Sequence, residues 1–105
     1  MKDWNIEALT GYKPKTTFYT DFSIADAFGV KGVRDTYKHA LDSWKDNYEY
    51  LTELVMALNW KIFEHYESGN IALAELYDEL WREADDWCCS NLKGEALSYY
   101  YSTID

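Results

Sequence analysis

Two histidines, two adjacent cysteines and a run of carboxylates are the residues of this chain best suited to chemistry. His39 and His65 fall on different helical segments, and Glu64–His65 has neither an HExxH nor an ExxH partner. Zinc and di-iron centres gather their ligands at those spacings, so no metal is expected and both histidines are placed at the surface or its boundary. Cys88 falls on an apolar helical stripe and Cys89 points elsewhere. With no adjacent His or Lys to lower a thiol pKa, they read as a small core residue beside a semi-exposed thiol. Glu75, Asp78, Glu79, Glu83, Asp85 and Asp86 offer paired carboxylates of the kind many hydrolases use. On one amphipathic helix, however, they occupy outward faces, where water solvates them. No phosphate-cradling glycine loop and no Ser–His–Asp spacing is present. The chain reads as non-enzymatic, with no catalytic residue and no cofactor.

The elements that carry these residues are helical. At 105 residues there is room for one domain, spanning 1–105, and 18% aromatic residues can build a dense core from few side chains. Asp3 and Gly11 bracket a short helix over 3–10, and Pro14 with Thr16 and Thr17 makes the following stretch irregular. Residues 1–20 are thus a partly irregular arm packed on the body. Asp21 or Ser23 caps a brief helix that ends at Gly29. A helix over 31–45 carries Val33, Tyr37, Ala40, Leu41 and Trp44 on one stripe. Asp46 with Glu49 resembles a capping box, although 31–68 could also be one bent helix.

The segment 47–67 is apolar around most of its circumference. Leu51, Leu54, Val55, Leu58, Ile62 and Tyr66 form one stripe, with Met56, Trp60 and Phe63 beside it. Such a helix is normally central. Asn70 caps a helix over 71–91, and Gly94 precedes a terminal one. The expected fold is all-α: a small antiparallel bundle of about four to five helices, with its central helix near 47–67. Leu54, Leu58, Trp60, Ile62, Tyr77, Leu80 and Trp81 are the expected core.

Charge is unevenly spread. Residues 1–45 hold seven Lys/Arg against six Asp/Glu, whereas 46–105 hold three against thirteen, giving +1 and −10. Residues 21–45 could form a helix-turn-helix, with Ala25 at the crossing and Gly29 at the turn. Ile24, Phe28 and Val30 would point inward, but the sealing position falls on Asp35. Lys31, Arg34 and Lys38 would then be the DNA contacts. Nucleic-acid affinity comes largely from neutralised phosphates, so the net charge disfavours that role.

Over nearly its whole length the chain resembles an uncharacterised family of short acidic proteins encoded by bacterial phages and integrative elements. The resemblance is carried by "TTFYTDFSIADAFG", "VRDTY", "LTELVMALNWKIFEHYE", "LYDELWREAD" and "NLKGEAL". It implies a mobile-element setting, in which small acidic proteins often act by binding host or element machinery, and it transfers no site residue.

The expectation is a cytoplasmic, protein-binding accessory or regulatory factor of a mobile element, without a membrane span. Its partner would be an unidentified basic protein, or a second copy in a homo-oligomer. The expected surface is Glu75, Asp78, Glu79, Glu83, Asp85 and Asp86 with Tyr99, Tyr100 and Tyr101, since three successive tyrosines cannot share one helix face. A DNA-mimic inhibitor of a host nucleic-acid-binding protein is one alternative, and the helix-turn-helix reader is another.

Overall fold

Phe18 and Phe22 stand four residues apart, so a helix brings both to one face, and burying that face sets where the first helix begins. The computed structural model describes residues 11–104, so the helix expected over 3–10 lies outside the described residues. Helix α1 spans Phe18–Ala25, starting a turn earlier than Asp21 or Ser23 would have it as caps. Thr17 is its N-cap residue, and Asp21 instead accepts from the Thr17 hydroxyl at 3.1 Å. Burial of Phe18, Phe22 and Ala25 outweighs the capping signal.

A 3-10 turn, Asp26–Phe28, leads into α2, Gly29–Ser43. Gly29 adopts φ 75° and ψ −159°, a backbone region that side chains essentially exclude. Helix α2 buries Val33, Tyr37 and Ala40, while Trp44 just past its end stays 38% exposed.

Helix α3, Tyr48–Ser68, is separate from α2, so 31–68 is not one bent helix. Its cap is Asn47, whose side chain accepts from the Tyr50 N–H, rather than Asp46. Gly69 closes it in the left-handed conformation, with the Asn70 N–H donating to the His65 carbonyl at 2.8 Å. Only Gly69 and Asn70 separate α3 from α4, Ile71–Asn91, which makes the pair an antiparallel hairpin. Asn70 precedes α4 without a side-chain cap bond. Helix α5, Glu95–Ile104, completes the all-α bundle.

Helix α3 is central. It packs most extensively on α4 and also contacts α1, α2 and α5. Leu51, Leu54, Val55, Leu58, Trp60 and Ile62 from α3 meet Tyr77, Leu80, Ala84 and Cys88 from α4 in one core. Trp81 lies at the margin of that core, and Phe63 and Tyr66 face outward. Cys88 is buried and Cys89 exposed; neither is in a disulfide. Among the described residues no helix is long and apolar enough to cross a membrane.

Candidate functional site

The central helix buries more than apolar side chains. Glu53, Lys61, Glu64 and His65 on α3 are all inside, together with Asp26 from the 3-10 turn. A buried charge is costly unless it is paired and hydrogen-bonded; Asp26, Lys61 and Glu64 are both, and Glu53 is met by hydrogen bonds alone.

Lys61 is fully enclosed and its ammonium meets three acceptors: Asp26 Oδ2 at 2.8 Å, Ser23 Oγ at 3.1 Å and the Glu64 carboxylate. Three protons thus find three partners. The ammonium also lies 5.1 Å from the Tyr19 ring centroid and 5.9 Å from that of Tyr77. Glu64 accepts in addition from the Tyr19 hydroxyl.

Asp26 is the hub. Its Oδ2 lies 2.9 Å from His65 Nε2, and its Oδ1 accepts from the Tyr77 hydroxyl at 2.5 Å. A carboxylate only accepts, so His65 Nε2 carries a hydrogen. Burial alone would push the Asp26 pKa up. Hydrogen bonds from His65, Lys61 and Tyr77, with the Lys61 charge, outweigh it and hold the carboxyl below its ordinary range. Tyr77 stacks on His65 with ring centroids 5.5 Å apart, and burial and Asp26 push its own pKa up.

Asp26, Glu64 and His65 bring one ligand atom each within 4.8 Å of one another, a cluster that could in principle hold a metal ion. The Lys61 ammonium already bridges the two carboxylates, so a metal ion would have to expel it. The surface position expected for His65 is therefore wrong. The 3-10 turn folds over its last-turn position on α3 and presents Asp26 to it.

A second buried carboxylate holds the arm. Glu53 accepts from the Tyr12 hydroxyl at 3.1 Å, the Lys15 N–H at 3.0 Å, the Thr16 N–H at 2.6 Å and the Thr16 hydroxyl at 2.5 Å. Burial first, then Glu53, pushes the Tyr12 pKa up. Beside this latch runs a groove of about 680 Å³ lined by the arm, α1 and α2, with Trp44 and Tyr50 also on its lining. None of the residues around Lys61 lines it. The ionic network anchors the 3-10 turn to α3.

What the anchor fixes is the corner. Ile24, Phe28 and Val30, expected to point inward, are 61%, 73% and 54% exposed. Phe18, Phe22 and Ala25 take the inner face instead. Two of its expected DNA contacts meet carboxylates of the chain in exposed pairs. Lys31 pairs with Asp35 at 2.8 Å and Arg34 with Glu79 at 2.7 Å, while Lys38 is exposed.

The acidic surface is partly occupied too. Asp78 pairs with Arg82 at 3.0 Å, Glu79 with Arg34, and Asp85 accepts from the Tyr100 hydroxyl. Glu75, Glu83 and Asp86 remain exposed. Glu83 lies near the buried Tyr37 hydroxyl, raising its pKa after burial itself, but makes no well-formed hydrogen bond with it. Tyr100 is fully buried and cannot touch a partner, because α5 lays it against the core. Tyr99 packs edge-on against Tyr48 at 5.3 Å, and Tyr101 is exposed.

Comparison with protein-family models, with curated proteins and with solved structures gave no match.

Proposed function

We propose that this chain is a non-enzymatic protein-binding module that docks its partner on the corner between α1 and α2. The carrying observation is that Ile24, Phe28 and Val30, three large apolar side chains within seven residues, all face water. Single exposed apolar residues are ordinary, whereas a cluster at one turn marks an interaction surface. The turn is not slack. Asp26, between Ile24 and Phe28, is held by Lys61, His65 and Tyr77, so the apolar residues are presented in a fixed geometry.

Tyr66 and Ile71 are also exposed and follow the His65 end of α3, which the Asp26 bond brings to the corner. Covering one such side chain recovers roughly 1.5–3 kcal/mol, and two or three would support a specific complex. The exposed carboxylates of α4 bias the choice toward a basic partner. The resemblance to phage and integrative-element proteins supports a role as an accessory factor, with host or element machinery as the partner.

Crosslinking in cell extract tests this reading. Proteins captured by the native chain should be lost from a variant carrying Ile24→Ser, Phe28→Ser and Val30→Ser, which removes mostly exposed surface, provided circular dichroism shows it folded. Identical capture by both would overturn it.

A further inference from the structure

We propose that a groove between α2 and α4 binds a small zwitterion, an α-amino acid with an aliphatic side chain. The groove holds about 300 Å³, at the low end of small-molecule pockets. None of Ile24, Phe28 and Val30 lines it, so it is separate from the corner and independent of any partner docked there.

Tyr37 carries the first observation. It lines the groove from the core side and is 4% exposed, and its buried hydroxyl has no hydrogen-bond partner. A buried polar atom left unmatched is costly, and a ligand that supplies an acceptor removes that cost. Glu83 lies near the hydroxyl without forming a well-made bond to it.

The charges on the lining carry the second. Arg34, Lys38, Asp42 and Glu83 give two of each sign. Arg34 is engaged by Glu79 at 2.7 Å and Asp42 by Lys45 at 3.4 Å. Lys38 on α2 and Glu83 on α4 are exposed, and among the described residues neither stands in an ion pair. The two walls thus offer one cation and one carboxylate that do not meet each other.

A simple anion here would face Glu83, and a simple cation would face Lys38. A ligand with both signs suits both walls. Its carboxylate goes to Lys38 and the Tyr37 hydroxyl, and its ammonium goes to Glu83. Leu41 and Leu80 supply the apolar part of the lining, which fits an aliphatic side chain.

Chemical-shift titration of the full chain with L-leucine tests the proposal, beside isocaproate and isoamylamine. These two keep the aliphatic chain and lack the ammonium and the carboxylate respectively. Leucine should give saturable shifts in α2 and α4 at about millimolar concentration, and each truncated probe should bind at least about tenfold more weakly. Lys38→Gln, Glu83→Gln and Tyr37→Phe should each weaken leucine binding about tenfold, with circular dichroism showing every variant folded.

If Tyr37→Phe shifts thermal melting but leaves leucine affinity unchanged, the hydroxyl is only structural and the site is overturned. Equal binding of leucine and either truncated probe overturns the zwitterion. No saturable shift with leucine overturns the proposal outright, and the crosslinking comparison at the corner is untouched by that result.

Discussion

Asp26 and His65 are thirty-nine positions apart in the chain and 2.9 Å apart in space. That contact sews the turn after α1 to the last turn of the central helix, and Lys61 lies against the same carboxylate oxygen. Desolvating such ions is costly, so a network of this kind adds less to stability than to the choice of one arrangement over others. Here the chosen arrangement is the corner that carries Phe28.

Removing the cation should therefore be severe. Lys61→Met leaves Asp26 and Glu64 buried around a missing charge and should cost about 3–5 kcal/mol. Urea unfolding monitored by circular dichroism measures it. Adding Glu64→Met should recover part of the loss, since the two sites share one network.

Acid should loosen the same corner. The Asp26 pKa is lower folded than unfolded, so its stabilising contribution is complete above the ordinary carboxyl value of 3.8. It is lost as pH falls through the depressed folded value. Asp26→Asn should flatten stability against pH in that acidic range, as thermal melting across a pH series would record.

Alkali acts through the tyrosines. Burial first, then carboxylate neighbours, raises the pKa of Tyr77 and Tyr100 from the ordinary 10.0. Groups raised on folding stabilise fully below that value, and the contribution fades as pH climbs beyond it. Tyrosinate absorbance from these two rings should therefore appear only as the bundle opens.

The arm should be separable from the bundle. Glu53→Gln replaces the carboxylate that receives four hydrogen bonds from Tyr12, Lys15 and Thr16, and should cost about 1–3 kcal/mol. Trypsin should then cut after Lys15 much faster than in the native chain, while helical circular dichroism is kept.

Duplex DNA should not bind appreciably at physiological salt. Lys31 and Arg34 are paired within the chain, and the net charge is −9. A fluorescence-anisotropy titration at two salt concentrations checks this, with Lys31→Ala and Arg34→Ala expected to change nothing.

Much of the bundle was legible because punctuation and periodicity agree. Gly69, Asn70 and Gly94 bound α4 and α5, and the wide apolar surface of α3 announced its central place. The corner was not legible. Phe18, Phe22 and Ala25 compete with Ile24 and Phe28 for the inside at equally helical spacings, and only packing on α3 decides between them. The ionic network was hidden for another reason. Glu53, Lys61 and Glu64 look like a solvated stripe, yet on a helix surrounded by neighbours a polar stripe must also be covered. That was the available signal, but their contacts on Tyr12, Tyr19 and Asp26 follow no local pattern.

Cys88 and Cys89 give the molecule a pair of clocks. Burial, with Asp85 nearby, pushes the Cys88 thiol up to about 12, whereas Cys89 faces water. A thiolate is the reactive form, so an alkylating reagent at neutral pH should mark Cys89 on the native chain and reach Cys88 only through an opening of the core. Peptide mass spectrometry that separates the adjacent labels would time the surface and the interior of one bundle in one sample.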